Sequence, residues 1–485
     1  MNKIKSVIII ILILGFSSCD DDFLDVTPSN SGDASTSIQT LADANVMLTG
    51  IMSRMTSSSY YGRNFIIYAD AKGGDLTTFS MGRGLDGLYS FNHSPTSGSY
   101  SGFWNSIYYS ILQANNLIVN IEKLEAEGAE ANFDDIKGQA LTARALMYFD
   151  LVRIYGKPYS YDKESYGVPN VLEPLDALAQ PLRATVADNY NQIITDLKDA
   201  QPLLSKSKNN GYLNYYANLA LQARVYLNME QYPDALNAAQ EIIDSEVYSL
   251  YSNSEWVDSW TGQFGSESIF ELAVLPSEAD LGNSSLSVYL RRAGHQSSSA
   301  IGQFIASDYY LNRLGEDPDD VRFGVLSYDE VSPTHLGASY KYSGDTSLSG
   351  DGKSTATAVN IKVIRLSEIY LIAAEAAFHT DKELAADYLN EIRKRAPNLA
   401  PATAGTISID MILDEKSKEL FTEGQRFFDM LRLDKDITFN DDLGGVPIST
   451  RDKTIDRSFY KTILPISQEE INANPEIGSQ QNPGY

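Results

Sequence analysis

Cysteine is almost missing from this chain: Cys19 is the single one in 485 residues. That excludes an intrachain disulfide, a multi-cysteine zinc site and a Cys-ligated cluster. Histidine is nearly as scarce. His93, His295, His335 and His379 lie at least 40 residues apart, and none belongs to an HExxH or similar ligand spacing, so a zinc hydrolase drops out and no metal or cofactor is expected. Positive charge is short as well, with 38 Lys and Arg against 64 Asp and Glu and a net charge of −26. Such a surface repels a polyanion, so no nucleic-acid partner is expected. Long apolar runs are absent too; residues 7–14 form a run of eight, and no run reaches the roughly 18 residues that a bilayer-spanning helix needs.

Catalytic motifs are equally thin. Gly82, Gly84 and Gly87 spell GxGxxG, but no strong strand precedes them and no Asp or Glu occurs between Asp86 and Glu122 to hold a ribose. Gly352, Lys353 and Ser354 imitate the end of a phosphate-binding loop whose first glycine would fall at Ser347. There is no GxSxG elbow. A carboxylate pair for glycoside hydrolysis is not legible among 64 acids, because such a pair meets only in the fold. The chain is therefore not expected to be an enzyme.

What is present starts with an address. Lys3 and Lys5 precede the apolar run, and small Ser17 and Ser18 precede Cys19, so residues 1–18 read as an export signal. The surroundings of Cys19 resemble the lipobox of bacterial lipoproteins, which makes Cys19 the expected lipidation site and residues 19–40 a lipidated tether. Several acyl chains on one residue suffice to hold a protein at a membrane. Asp20, Asp21 and Asp22 resemble the signal that sends such lipoproteins to the outer leaflet in Bacteroidetes.

From 41 to 485 the pattern is that of one mostly helical body. Apolar residues recur at helical spacing in 41–55, 103–124, 136–154, 186–204, 213–228, 232–245, 366–378, 382–396 and 409–432. Ala220, Ala223, Ala235 and Ala239 in one helix pair, and Ala373, Ala377, Ala385 and Ala386 in another, place small residues where two antiparallel helices meet, which resembles the tetratricopeptide repeat. The stretches near 56–102 and 249–360 break the periodicity with Gly, Ser, Tyr and Asp, and read as long irregular excursions with a few short strands. Loops of that length are usually kept for binding.

Tyrosine is abundant, 30 against 18 Phe and 3 Trp, and pairs a flat apolar face with a polar edge. Tyr108, Tyr148, Tyr226 and Tyr370 fall within helical pattern and are assigned to packing, whereas Tyr60, Tyr61, Tyr68, Tyr89, Tyr289, Tyr309 and Tyr310 fall in or beside the excursions. Trp104 is assigned to the core, and Trp256 and Trp260 to packing rather than to sugar platforms.

Eight segments together resemble the SusD/RagB outer-membrane nutrient-binding lipoproteins of Bacteroidetes. They are CDDDFLDVTP from Cys19, WNSIYYSILQANN from Trp104, GQALTARALMYFDLVRIYGKP from Gly138, ESIFE from Glu267, RLSEIYLIAAE from Arg365, LNEIRKRA from Leu389, ELFTEGQRFFDMLR from Glu419 and the ending QNPGY. The charges inside them, Arg144, Asp150, Arg153, Glu368, Glu375, Glu423, Arg426 and Asp429, sit on apolar helices and are expected to form buried salt bridges rather than ligand contacts. The resemblance implies a mainly α, tetratricopeptide-like SusD fold with long irregular loops. It also implies a cell-surface lipoprotein that captures a glycan or oligosaccharide, or in some members a peptide, and delivers it to a SusC-like TonB-dependent transporter of the outer membrane. The excursions are expected to carry the ligand, through Asp70, Phe79, Arg83 and Tyr89 from the first and Tyr289 and Arg291 from the second.

Overall fold

The structure, a computed structural model, describes residues 38–78, 81–82, 84–97, 101–176, 178–275, 284–290, 301–329, 332–342, 359–443 and 447–485. Cys19, Phe79, Arg83, Arg291 and His295 lie outside the described residues. The fold is mainly helical, with short two-stranded antiparallel sheets. No helix among the described residues is long and apolar enough to cross a membrane.

The frame begins at α1 (Leu41–Met55), whose first turn is closed by a capping box between Thr40 and Asp43. The short α2 (Asn64–Lys72) belongs to the first excursion. Next come α3 (Ser101–Ala126), α4 (Asp134–Tyr155), α5 (Val186–Ala200), α6 (Tyr215–Asn228) and α7 (Tyr232–Asp244). After the second excursion follow α8 (Leu366–Phe378), α9 (Lys382–Arg393), α10 (Ile409–Glu419) and α11 (Arg426–Arg432). Neighbours in this order pack as a stack from α3 to α7, and α7 then packs directly on α8 although more than a hundred residues separate them in sequence. The small residues make this possible: Ala220, Ala223, Ala235, Ala239, Ala373, Ala377 and Ala385 are all fully buried, so the helices approach without a side chain between them. The second excursion is thus an insertion between two stacked helix pairs.

One expected helix is two. The 409–432 periodicity is interrupted between α10 and α11, where Thr422 and Gly424 take left-handed φ values of 61° and 82°. A side chain at Gly424 would press on Ile66 of α2, its Cβ 3.3 Å from the Ile66 Cα, so the chain turns where α2 comes close.

The hallmark charges are ion pairs among apolar helices. Arg144 binds Asp196 at 2.8 Å, Arg153 binds Asp150 at 2.5 Å, Arg224 binds Glu368 at 2.5 Å, Lys416 binds Asp429 at 2.8 Å, and Arg432 binds both Glu375 and Asp429. The densest web centres on Arg365, at the end of β6 (Ile361–Arg365), which pairs with β2 (Ser268–Leu272). Its guanidinium reaches Glu267 at 2.8 Å, Glu419 at 3.1 Å and Glu423 at 2.8 Å. Arg395 shares Glu267 at 2.8 Å, and Lys341 shares Glu423 at 2.8 Å. All six groups are buried. Surrounded by these cations, the Glu419 and Glu423 carboxyls are held below their ordinary range despite the opposing effect of burial.

Candidate ligand-binding face

The excursions are not the open loops that their composition suggests. In the first, α2 is buried on every side, and Tyr60 and Tyr61 both donate to the Asp150 carboxylate, at 2.5 and 2.7 Å. Tyr68 and Tyr310 are buried too, as are Trp104, Trp256 and Trp260. These residues form core.

The two excursions join through a three-residue antiparallel ladder. β1 (Leu76–Thr78) pairs with β3 (Phe304–Ala306), Leu76 opposite Ala306 and Thr78 opposite Phe304. At one end of this ladder the chain turns through Gly82 and Gly84, both with positive φ, and Asp86 gathers the turn by accepting from the Gly82 and Gly84 N–H groups at 3.1 and 3.2 Å. Gln303 from the second excursion donates to the same oxygen at 3.4 Å. Tyr289 lies beside Gly84, its ring under the Arg63 guanidinium at 4.7 Å and its residue 7 % exposed.

At the other end of the ladder, about 10 Å away at 3.3 Å per residue, an open cleft of about 260 Å³ separates the excursions. Gly73, Gly74 and Asp75 form the wall from the first excursion, and Tyr309 and Arg313 that from the second. Arg426, Met430 and Asp436 to Thr438 close it. Gly74 has a φ of 84° and approaches the Thr438 carbonyl so closely that a Cβ would lie 3.0 Å from it, which keeps the cleft free of a side chain at that point. Arg313 is set by Asp75 and by Ser417 at 3.1 Å. Asp75 itself is buried and also accepts from Ser417 at 2.7 Å. The half-buried ring of Tyr309 and the exposed carboxylate of Asp436 remain at the opening. A ring, a positioned guanidinium and carboxylates in a concave wall suit a polar, ring-shaped ligand.

Of the residues expected to bind, Tyr289 alone among those described stands at the excursion junction, where it is buried beside Gly84. Asp70 and Tyr89 require correction. Asp70 is 0 % exposed; its Oδ2 accepts from the Gly424 N–H at 2.7 Å, and its Oδ1 has no hydrogen-bond partner. It holds the α10–α11 turn, and burial pushes its carboxyl well above the usual carboxylate range. Tyr89 is 1 % exposed, donates to Asp441 at 2.7 Å and carries the Arg451 guanidinium 4.9 Å from its ring centre. Arg313, Asp436 and Thr438 were not anticipated; the signal for the first was its position four residues after Tyr309 on the Asp308–Leu314 helix, which puts both on one face.

The raised Asp70 carboxyl makes a prediction. A native pKa above the unfolded value means that the group contributes nothing below about pH 4 and becomes progressively unfavourable as pH rises from there toward the native pKa. Asp70→Asn keeps an acceptor for Gly424 and removes the charge, so it is expected to raise the melting temperature at pH 7 more than at pH 4. Equal shifts at both pH values, measured by differential scanning calorimetry, would contradict this account.

No group of three or more His, Cys, Asp and Glu suited to a metal ion occurs among the described residues. A SusD superfamily protein from Bacteroides thetaiotaomicron superimposes with a TM-score of 0.83 and 34% identity, covering 92% of this chain and 100% of that one. The chain belongs to the SusD family. Within the family, the profile described as "SusD family" matches residues 334–485, and that described as "Starch-binding associating with outer membrane" matches residues 22–227. A SusD-like protein of Formosa agariphila, P25, is 24% identical over the full length of both chains. The starch-binding protein SusD of B. thetaiotaomicron is 32% identical over 139 residues, 28% of this chain and 24% of its own length. Family membership makes this a binding protein rather than an enzyme.

Proposed function

We propose that this SusD-family protein captures oligosaccharide at the outer membrane and hands it to a SusC-like TonB-dependent transporter. In this reading lipid on Cys19 anchors the chain, and the excursion junction holds the glycan. The observation that carries it is the cleft between the excursions, in which Tyr309 offers a ring face and Arg313 and Asp436 offer hydrogen bonds to hydroxyls. The starch-binding relative and the description of the N-terminal profile support a carbohydrate over a peptide. Phe79, Arg83, Tyr289 and Arg291 are proposed to extend the site.

The mature protein is to be run through gels containing plant, host and microbial polysaccharides. Retardation by at least one is expected, and Tyr309→Ala, at a half-buried position the fold tolerates, should weaken it about tenfold, or ~1.4 kcal/mol. Retardation by none, together with retention on peptide libraries, would replace the glycan by a peptide. Full retention by Tyr309→Ala would move the site away from the cleft.

A further inference from the structure

The charges around the cleft between the excursions are unevenly committed. Its two cations, Arg313 and Arg426, turn to the same carboxylate. Asp75 accepts from the Arg313 Nη2, lies 3.5 Å from the Arg426 Nε and is 1 % exposed. Arg313 also spends its Nε on the Ser417 hydroxyl at 3.1 Å, and the Asp414 carboxylate stands 3.8 Å from that nitrogen. One of the two edges on which a guanidinium pairs with a planar anion is therefore taken. Arg426 is buried and donates its Nη1 to the Leu413 carbonyl at 3.0 Å. Nor is Arg313 at liberty to swing toward a ligand. The Ser307 N–H donates to the Asp75 carbonyl at 2.8 Å, and its hydroxyl to the Gly74 carbonyl at 2.7 Å. Ser307 caps the Asp308–Leu314 helix, so the helix that carries Tyr309 and Arg313 is pinned to residues 74 and 75 at its start and again through Arg313.

The carboxylates are less fully answered. Asp436 stands exposed at the mouth with no ion-pair partner among the described residues. Lys435, its neighbour in the chain, is held by Asp410 at 2.6 Å, and Arg457 by Asp434 at 2.8 Å. Lys453, whose charge acts on Tyr309, is paired with Asp442. With Asp414 included, three carboxylates surround two guanidiniums. A uronate or sulfate group brought between these walls meets Asp436 with no uncommitted cation to answer it, and a binding surface rejects a ligand most effectively by such like-charge contact.

We propose that the cleft admits neutral oligosaccharides and excludes those bearing uronate or sulfate, and that Asp75 sets this choice by holding both guanidiniums neutralised. This rests on the reading of the cleft as a glycan site given above. Hydroxyls of a neutral sugar donate to the Asp436 carboxylate, whose two oxygens accept charge-assisted bonds. The Arg313 Nη1 donates to a sugar oxygen, and the Tyr309 ring packs on the apolar face of the sugar. Asp75 touches no sugar and acts through Arg313 and Arg426.

The test runs the mature chain through gels containing starch, laminarin or mannan and through gels containing polygalacturonate, alginate or chondroitin sulfate. Wild type is expected to be retarded by at least one neutral polysaccharide and by no anionic one. Asp436→Asn, at an exposed position, should weaken the neutral retardation about tenfold, as loss of a charged acceptor does; undiminished retardation overturns the proposal. Asp75→Asn, checked for folding by circular dichroism, leaves the two guanidiniums to Asp414 and Asp436. It should gain retardation by an anionic polysaccharide, and added salt should remove the gain. A folded Asp75→Asn that still passes every anionic gel freely assigns the exclusion to the overall charge of the chain and overturns the role of Asp75. An Asp75→Asn that does not fold leaves the decision to Asp436→Asn. Wild type retarded by an anionic polysaccharide overturns the proposal while glycan capture stands, whereas retardation by no polysaccharide at all overturns both.

Discussion

Replacing Arg365 by Met is expected to destabilise the protein by about 3–5 kcal/mol, the usual consequence of removing one partner from a buried ion pair. One guanidinium here answers three buried carboxylates, Glu267, Glu419 and Glu423. Arg395, Lys341 and Arg322 share those acids but are placed for other bonds: Arg395 also donates to the Tyr251 carbonyl, and Arg322 is paired with Asp320 at 2.6 Å. Without Arg365, the acids on α10 and the turn after it are left facing one another. Since domains are commonly stable by only about 5–15 kcal/mol, the variant should unfold at a clearly lower urea concentration. Arg365→Lys should recover little, because an ammonium has no planar fork with which to bridge separate carboxylates. A midpoint unchanged in the Met variant would show that the remaining cations suffice.

Trp256→Ala is expected to cost a similar amount, about 3–5 kcal/mol for a large aromatic deleted from a core. Trp256 is fully buried, its ring centre 6.0 Å from that of Trp260, and its indole N–H donates to Glu419 at 3.1 Å. The substitution therefore opens a cavity and removes a donor from the same charged web. Below its melting temperature the variant should still be retarded by polysaccharide as wild type is. Selective loss of that retardation in folded protein would make Trp256 a sugar platform after all.

Periodicity located the frame well. The expected bounds of α1 and α8 coincide with the observed ones, 41–55 and 366–378. α8 is buried nearly throughout and is marked by its longer run of apolar and small residues, whereas in α1 the buried Ala44, Leu48, Ile51, Met52 and Met55 fall on one face, so burial is written into residue spacing. It missed α2 for the opposite reason: NFIIYADAK is buried all round, so no polar face alternates with an apolar one and nothing marks the period. It ran α10 and α11 together because the turn between them depends on Gly424 meeting Ile66 and Asp70, contacts made more than 350 residues along the chain. The ligand face was harder. Asp70 and Tyr89 carry suitable chemistry, but whether such groups point outward is decided by β1 pairing with β3 and by Asp441 and Arg451 arriving from the far end of the sequence.

The β2–β6 ladder has an effect on how this protein changes over generations. Because Leu272 lies opposite Ile361, the long insertion leaves and rejoins the frame at one doorway. Closing a flexible loop costs only about 0.6 kcal/mol more for each doubling of its length. Stretches that touch the Arg365 web, such as those around Arg322 and Lys341, must be retained. The β1–β3 ladder and the buried Tyr310 hold a further part in place, so only segments outside these anchors can change length at that small entropic cost while the frame stays as it is.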